Sequence, residues 1–198
     1  MIHLYNQDCM EAMASMEDNQ FDLAIVDPPY GINLNFNQLG YSKHKHKSWN
    51  DNVPPQKYFD ELFRISKEQI IWGFNHFLEK LPSTKSVIFW NKHQNGTFAQ
   101  GELAWCSIGT VKYFDRAYQK DIGGKIHPTQ KPVALYTWLL DKYAKQGWKI
   151  LDTHLGSGSS AIAAHDMGYE FHGYELDEEY FEAASKRLKE HQKQLQLF

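Results

Sequence analysis

The segment Asp27-Pro28-Pro29-Tyr30 follows directly on an apolar run, residues 21–26. Because proline has no N–H to donate to a sheet, a strand over this run must end just before or at Asp27. A carboxylate, a rigid turn and an aromatic ring then stand at the carboxyl end of a strand, where open α/β sheets bind ligands. The Asp27 carboxylate and the Pro28 carbonyl can each accept one N–H of an exocyclic amine on a nucleobase, and Tyr30 can stack on the base. The alternative explanation is a strand-ending turn with a capping aspartate.

A second group of candidate residues follows the predicted strand Lys149–Asp152. The turn containing Gly156, Ser157 and Gly158 leads into a helix of small residues, so its backbone can approach a ligand closely. Glu175 ends the next predicted strand about 20 residues after the glycines, a position suited to holding ribose hydroxyls. The turn lacks the lysine of a phosphate-binding loop, and a carboxylate at its start repels phosphate but attracts an ammonium group. An amino-acid-bearing nucleoside therefore fits better than a dinucleotide.

A third group of residues combines lysines with a tryptophan. Lys43, Lys45, Lys47 and Trp49 form a basic segment within a long polar stretch, residues 31–55, just after the Asp27 motif. Lysines suit contacts with phosphates, and a tryptophan suits contacts with bases. We predict that residues 31–55 form a mobile loop that closes over DNA. A loop that is merely solvated is the alternative.

The composition bounds the class of protein that can carry these residues. The chain has 198 residues, 42% of them hydrophobic, which is enough for one domain with a sizeable core. It shows neither an apolar run of membrane-spanning length nor a basic segment followed by an apolar stretch at its start. Its two cysteines form neither a disulfide framework nor a zinc site, which favours a reducing, cytoplasmic setting. The net charge of −3 argues against a histone-like binder but does not exclude nucleic acid.

Apolar runs alternate with helical patterns along the chain, which predicts an α/β domain. The predicted strands are Leu23–Val26, Gln69–Gly73, Ser86–Trp90, Leu103–Ser107, Lys149–Asp152 and Phe171–Glu175. The predicted helices are Cys9–Met16, Gln56–Ser66, Val133–Lys145, Ser159–Met167 and Glu178–Gln192. Both chemical motifs therefore follow predicted strands.

Together, Asp27–Tyr30, the later Asp-x-x-x-Gly-x-Gly turn and Glu175 resemble the S-adenosylmethionine-dependent DNA amino-methyltransferases. The order of the motifs, with the amine site first, is similar to the circularly permuted beta-type group. His127–Pro132 and the opening 6–9 are also similar to that group. The resemblance implies a single catalytic domain, 1–198, with a reduced target-recognition region at 92–126. It implies a Rossmann-like methyltransferase fold with a seven-stranded, mostly parallel sheet in which one strand is antiparallel, and with helices on both faces. The strands ending at Asp27 and Asp152 would then be neighbours.

The resemblance also assigns roles to residues. The predicted catalytic residues are Asp27, Pro28, Pro29 and Tyr30. The predicted cofactor-binding residues are Asp8, Asp27, Lys131, Asp152, His154, Gly156, Ser157, Gly158 and Glu175. Asp8 could instead only cap a helix, and Lys131 could be a solvated surface charge. Thr153 and His154 depart from the Pro and Phe that are usual there; the histidine ring could still pack against the cofactor.

The implied reaction is direct in-line transfer of a methyl group to a base flipped out of DNA. Asp at position 27, rather than Ser or Asn, favours the N6 amine of adenine, with the N4 amine of cytosine as the alternative. An RNA or protein-glutamine acceptor, a catalytically silent nucleic-acid-binding partner subunit and a dinucleotide oxidoreductase fit the residues less well. Homodimers, restriction-modification and a bacterial or phage source are further expectations from the resemblance.

Overall fold

The computed structural model describes residues 1–32, 52–94, 99–117 and 126–195. Within these residues eight strands form one sheet, in the order β1-β8-β7-β2-β3-β5-β4-β6. In chain order the strands are β1 (Ile2–Asn6), β2 (Phe21–Val26), β3 (Ser66–Trp72), β4 (Ser86–Asn91), β5 (Gly101–Cys106), β6 (Lys112–Asp115), β7 (Lys149–Asp152) and β8 (Glu170–Glu175).

The sheet is parallel except at β5, which runs antiparallel to both of its neighbours, β3 and β4. The predicted fold class, a mostly parallel sheet with one reversed strand, is confirmed. The described residues give eight strands rather than seven, because β6 adds a short parallel strand beside β4 at one edge. β5 and β6 both fall within residues 92–126; the assignment of that region to target recognition stays a prediction.

Five α-helices of the described residues cover the sheet: α1 (Cys9–Ala14), α2 (Gln56–Ile65), α3 (Val133–Tyr143), α4 (Ser159–Asp166) and α5 (Glu178–Leu195). Helices α1 and α2 contribute to one apolar cluster, and α3, α4 and α5 contribute to another. The central strands supply side chains to both clusters: Ile70 points into one and Ile71 into the other. This alternation explains why the central strands are continuous apolar runs, as expected for strands buried on both faces.

The pairing of β2 with β7 positions the two chemical motifs. The strands are parallel, with Leu23 opposite Ile150 and Ala24 opposite Leu151. Their carboxyl ends therefore emerge side by side, which places Asp27 and Asp152 at the same edge of the sheet. After β2 the chain continues toward β3, and after β7 it continues toward β8 on the other side. This is a topological switch point, where α/β sheets form ligand clefts. The predicted adjacency of the two strands is confirmed.

The predicted DNA-contacting residues are not covered by the described part of the chain. Lys43, Lys45, Lys47 and Trp49 lie outside the described residues, as does most of the predicted loop 31–55. None of the described helices is both long and apolar enough to cross a membrane.

Candidate active site

A cavity of about 370 Å³ opens at the carboxyl ends of β1, β2, β7 and β8. Eight of the predicted site residues line it: Asp8, Asp27, Pro29, Lys131, His154, Gly156, Ser157 and Glu175. The other predicted catalytic and cofactor-binding residues, Pro28, Tyr30, Asp152 and Gly158, lie outside its lining. The sheet thus brings most of the predicted amine-binding and cofactor-binding residues to one concave site. The four that do not line it are close neighbours in the chain of residues that do.

The turn at residues 156–158, which we call the glycine turn, has backbone conformations that favour glycine. Gly156 has a φ of 53° and Gly158 a φ of 72°, both in the left-handed region. A β-carbon on Gly158 would lie 3.2 Å from the β-carbon of Ala184 on α5. Arg187, also on α5, donates from Nη1 to the carbonyl of Ser157 at 2.9 Å. Helix α5 therefore packs directly against the turn and fixes its shape.

Glu175 at the end of β8 is bound to this turn. Its Oε2 accepts a hydrogen bond from the Gly156 N–H at 2.8 Å, and its Oε1 accepts one from the Asp177 N–H at 3.0 Å. Burial raises the pKa of Glu175 although these two backbone bonds oppose the shift. The carboxylate is thus oriented on the wall of the cavity, with lone pairs left for a ligand hydroxyl.

Asp152 lies beneath the turn rather than on its surface. Its Oδ1 accepts from the His154 N–H at 3.0 Å, and its Oδ2 accepts from the Ser160 hydroxyl at 2.6 Å. Burial raises the pKa of Asp152 to about 7, with the charges of Asp27 and Glu175 adding to the shift. A cation entering the cavity would therefore favour the ionised form of this carboxyl group.

Thr153 and His154 form a small polar cluster with Tyr58 of α2. The Tyr58 hydroxyl lies 2.7 Å from the Thr153 hydroxyl, which in turn lies 2.9 Å from Nδ1 of His154. The rings of Tyr58 and His154 meet edge to face, 5.3 Å between centroids. Burial lowers the pKa of His154 to about 4, so the imidazole is neutral at pH 7. A neutral, buried ring on the cavity wall can pack against a ligand as an aromatic residue does.

Asp8 caps a helix and also lies on the cavity wall, so its predicted part in cofactor binding stays a prediction. Its carboxylate accepts from the Met10 N–H at 2.7 Å and caps α1, and the residue also lines the cavity. The neighbouring Cys9 lines the cavity as well. Burial raises the pKa of the Cys9 thiol to about 12, with the Asp8 charge adding to the shift, so the thiol is protonated at pH 7. A protonated thiol is a weak nucleophile, in keeping with a wall residue.

Asp27 belongs to a buried charged network, which we call the Asp27 cluster: Asp27, Tyr30, Lys92, Glu102 and Lys131. Asp27 Oδ1 accepts from the Tyr30 hydroxyl, and Asp27 Oδ2 is paired with the Lys131 ammonium. Lys131 Nζ also lies 2.9 Å from Glu102 Oε2, and the other oxygen of Glu102 is paired with Lys92. Two ammonium groups thus neutralise two carboxylates at the ends of β2, β4 and β5.

Lys131 is not the solvated surface charge considered as an alternative, because its side chain is only 2% exposed. Burial lowers the pKa of Lys131, but the charges of Asp27 and Glu102 outweigh that effect and raise the pKa overall. The ammonium group is held by the carboxylate of the predicted amine site. Its predicted part in binding the cofactor stays a prediction.

Tyr30 supports Asp27 through its hydroxyl and is itself held by aromatic stacking. The His76 ring lies 5.0 Å from the Tyr30 ring, with 8° between the planes. Burial and the Asp27 charge raise the pKa of Tyr30 far above its usual value, so the phenol keeps the proton that it donates. Because His76 covers one ring face and the Lys131 ammonium lies 5.8 Å from the ring centroid, the predicted stacking of Tyr30 on a base stays a prediction.

Gly73 leaves the space in which the Tyr30 ring lies, which gives a stability prediction. A β-carbon at Gly73 would lie 2.0 Å from Cε1 of Tyr30, and φ at Gly73 is 71°. Gly73→Ala is expected to lower the free energy of unfolding by about 2–5 kcal/mol, the sum of backbone strain and overpacking. Gly168→Ala is the matched control, because Gly168 has a φ of 76° and a β-carbon there would meet nothing within 4 Å. Equal decreases for the two variants in urea unfolding would show that the Tyr30 ring adds nothing to the effect.

Four contributors to the site escaped the sequence analysis: Glu102, Lys92, His76 and Tyr58. Glu102 is the most informative of them, since it is a carboxylate immediately before the predicted apolar strand Leu103–Ser107. A charged residue at the start of a buried strand is a signal for a paired charge. Its partner could not be identified before the strand order was known.

Comparison with known proteins agrees with this arrangement. A family model described as DNA methylase, for N6 and N4 methyltransferases, matches residues 41–186. The matched range begins after Asp27–Tyr30. Among curated proteins, the type II methyltransferase M.HpaI of Haemophilus parainfluenzae is 24% identical over 229 residues, covering 91% of this chain and 72% of its own.

Solved structures show the same fold at low sequence identity. The complex of M1.HpyAVI with SAM superposes with a TM-score of 0.63 at 19% identity, covering 95% of this chain and 99% of the other. The PvuII DNA methyltransferase, described as cytosine-N4-specific, gives a TM-score of 0.65 at 10% identity, covering 96% of this chain and 90% of the other.

Proposed function

Because the chain belongs to the DNA methylase family of N6 and N4 methyltransferases, we propose that it methylates the exocyclic N6 amine of adenine in DNA, with S-adenosylmethionine as the methyl donor. One observation carries the proposal. Asp27 and the glycine turn line the same cavity, at the ends of two strands that are direct neighbours. An amine acceptor held at Asp27 and a nucleoside donor held at the turn would therefore meet across a short gap.

The residues of the cavity fit S-adenosylmethionine by volume and by charge. A cavity of about 370 Å³ lies in the range of about 300–1,000 Å³ that is usual for cofactor sites. The oriented Glu175 carboxylate suits ribose hydroxyls. The ionised form of Asp152, which lies beneath the turn, would attract the ammonium group of the methionine portion through its charge rather than by direct contact. The neutral ring of His154 suits an apolar contact. When bound, the cofactor supplies a methyl carbon that is already electrophilic, so no covalent intermediate on the protein is required.

The chain's own contribution to the reaction lies mainly in positioning the amine and in excluding water from it. We assign Asp27 and the Pro28 carbonyl as acceptors for the two N–H groups of the amine, which localises the nitrogen lone pair toward the cavity. Both oxygens of Asp27 already accept one hydrogen bond each, from Tyr30 and Lys131. Each carboxylate oxygen has a second lone pair, so Asp27 keeps capacity for the amine. Pro29 shapes the turn between these groups.

The base must leave the double helix to reach this cavity, because an exocyclic amine is inaccessible to such a site within the stack. Asp at position 27 favours adenine over cytosine within the family. Cytosine N4 is the second candidate, since a structural neighbour is described as cytosine-N4-specific. DNA is the proposed partner, and homodimer formation remains an expectation.

The proposal is tested by product identification. The protein is incubated with S-adenosylmethionine carrying a labelled methyl group and with unmethylated DNA, which is then digested to nucleosides. We expect the label in N6-methyladenine. Label in N4-methylcytosine would replace the adenine assignment by the second candidate. No label in either nucleoside, with cofactor binding intact, would contradict the proposal and favour a silent DNA-binding subunit.

The raised pKa of Asp152 predicts how cofactor binding depends on pH. Below its pKa of about 7 the carboxyl group is protonated, and above it the group is ionised. Because the cofactor's ammonium favours the ionised form, its affinity should rise by about tenfold between about pH 6 and about pH 8. Calorimetric titration at the two pH values measures this change. In Asp152→Asn only the cofactor's own titration remains, so an equal pH dependence in the variant would refute the role of Asp152.

The basic segment predicts the salt dependence of DNA binding. If Lys43, Lys45 and Lys47 bind phosphates, their joint replacement with alanine should reduce the slope of log K against log [salt] by about 0.9 for each phosphate that is no longer neutralised. Lys186, Lys189 and Lys193 are exposed on α5 and provide a matched control with the same change in net charge. Fluorescence anisotropy with a labelled duplex measures both variants. A slope that changes as much in the control would remove the assignment.

A further inference from the structure

A second cluster of potential ligands lies at the opposite end of strands β1 and β8 from the cavity. His3 on β1 is the direct partner of His172 on β8 in the parallel register. Glu170 begins β8 and lies two residues before His172, so the two side chains project from the same face of the strand. The cavity residue Glu175 ends that strand. The cluster is thus built on rigid sheet backbone and is separate from the proposed methyl-transfer site.

The three side chains already converge. One ligating atom from each of His3, Glu170 and His172 lies within 4.8 Å of the other two. The two imidazole rings lie 4.7 Å apart between centroids, and Nε2 of His172 lies 3.3 Å from Oε1 of Glu170. Ligand atoms around a tetrahedral zinc ion are about 3.3 Å apart, given metal–ligand bonds of about 2.0–2.1 Å. Small side-chain rotations would therefore bring the three atoms to a common centre.

Neighbouring aromatic rings hold the His172 side chain in place on the sheet, while Glu170 is partly exposed. The Phe21 ring meets His172 edge to face at 5.3 Å, and the Tyr5 ring stacks on it at 6.0 Å. The side chain of His172 is only 17% exposed. Apolar walls beside a ligand set restrict the access of water to it and keep its side chains oriented.

One contact competes with a metal for Glu170. The Lys149 ammonium lies 3.4 Å from Oε1 of Glu170. Lys149 is about half exposed, so its ammonium can turn into solvent without leaving a buried charge. The carboxylate also has a second oxygen with its own lone pairs. The ion pair therefore does not block the site.

We propose that His3, His172 and Glu170 bind one divalent transition-metal ion of the zinc class. Two imidazoles and one carboxylate are ligands that Zn²⁺ accepts, with a fourth position left for water, whereas Mg²⁺ and Ca²⁺ prefer oxygen ligands throughout. The ion would join the edge strand β1 to β8. It would act as a structural tie for the sheet whose other end carries Gln7, Asp8 and Glu175.

The protein is first freed of metal with a chelator and then titrated with Zn²⁺ in competition with a chromogenic chelator. We expect one equivalent to bind to the cluster and to raise the melting temperature. His3→Asn and Glu170→Gln should each weaken that binding by at least about tenfold, as expected when a ligand is removed. His3 is preferred over His172 for the main variant because His172 packs against Phe21 and its replacement could disturb folding.

Two controls separate this site from adventitious binding by other histidines. His165→Asn removes a histidine from α4, and a His44→Asn/His46→Asn double variant removes the pair between the lysines of the basic segment. Both should retain the bound equivalent. Unchanged zinc affinity in His3→Asn and Glu170→Gln would overturn the proposal, as would loss of the equivalent in the His44/His46 variant. Co²⁺ substitution gives a second readout: strong visible absorption of four-coordinate Co²⁺ is expected and should disappear in His3→Asn.

Discussion

Asp27→Asn is expected to lower the rate of methyl transfer by at least about 10²-fold, an effect typical for loss of one oriented group at a reacting centre. The amide has nearly the shape of the carboxylate but carries one acceptor oxygen instead of two, and its NH₂ group would face a donor. In the Asp27 cluster that donor is the Tyr30 hydroxyl or the Lys131 ammonium. The single acceptor oxygen that remains has half the lone pairs of the carboxylate to share between the cluster and the target amine, and the negative charge that orients the amine is lost. Single-turnover transfer from labelled S-adenosylmethionine to DNA measures the decrease.

The affinity of Asp27→Asn for S-adenosylmethionine shows whether the variant loses transfer alone or cofactor binding as well. Asp27 lines the cavity, but the turn around Gly156 and the carboxylates of Asp152 and Glu175 belong to other strands. The dissociation constant for S-adenosylmethionine in Asp27→Asn should therefore change only a few-fold. Asp60→Asn, at an exposed position on α2, is the control for a carboxylate-to-amide change. Wild-type transfer rates in Asp27→Asn would refute the role of Asp27, and an equal loss of cofactor affinity would assign it to cofactor binding instead.

The fold was predictable wherever burial governs the residue pattern. The predicted helices are all found, with ends displaced by only a few residues, and the central strands are found as apolar runs. β1 and β6 were missed, and within the described residues both form edges of the sheet. Ile2–Asn6 is largely half-buried, and Lys112–Asp115 is mostly exposed. Strands of this kind carry polar residues and depend on their neighbours, so the pairing partner rather than local pattern determines them.

The site was predictable where a functional residue directly follows a strand. Asp27, Asp152 and Glu175 belong to that class, because the carboxyl ends of parallel strands meet at one edge. Glu102 and Lys92 belong to another class. They are brought to Asp27 by β5, the reversed strand, through the pairing of Trp90 with Glu102. That contact depends on strand order and direction, which the spacing of residues along the chain does not encode.

The Asp27 cluster connects the two halves of the sheet electrostatically. Asp27 follows β2, Glu102 lies on β5, and Lys131 precedes α3. Burial would raise the pKa of Glu102, but Lys131 and Lys92 outweigh it and hold that pKa well below its usual value. The two carboxylates could not remain ionised so close to each other without the ammonium between them. We therefore propose that Lys131 positions Asp27, a role distinct from that of a residue that only binds the cofactor.

Lys131→Met should consequently be among the most damaging single substitutions in this chain. The methionine keeps the length and apolar contacts of the side chain, including its place near the Trp72 ring, but leaves Asp27 and Glu102 with Lys92 as their only remaining cation in the cluster. Breaking a buried ion pair in this way costs about 3–5 kcal/mol of unfolding free energy.

The folded-state pKa of Glu102 is depressed, so the stability that its charge contributes is present above its unfolded value of 4.5 and is lost as the pH falls below it. The difference between wild type and Lys131→Met in urea unfolding should therefore be full near neutral pH and shrink in acid; a difference independent of pH would contradict this account.

A double variant separates stability from positioning in the same experiment. Lys131→Met/Glu102→Gln removes one positive and one negative charge, so the two remaining charges, on Asp27 and Lys92, balance. It should regain part of the lost unfolding free energy, because the two substitutions are strongly coupled. Methyl transfer should stay impaired, since Asp27 still lacks the ammonium that fixes its Oδ2, while the dissociation constant for S-adenosylmethionine should change little. Recovery of transfer together with stability would show that Lys131 serves only the fold, and a large loss of cofactor affinity would place its ammonium at the cofactor, the role that the resemblance implies.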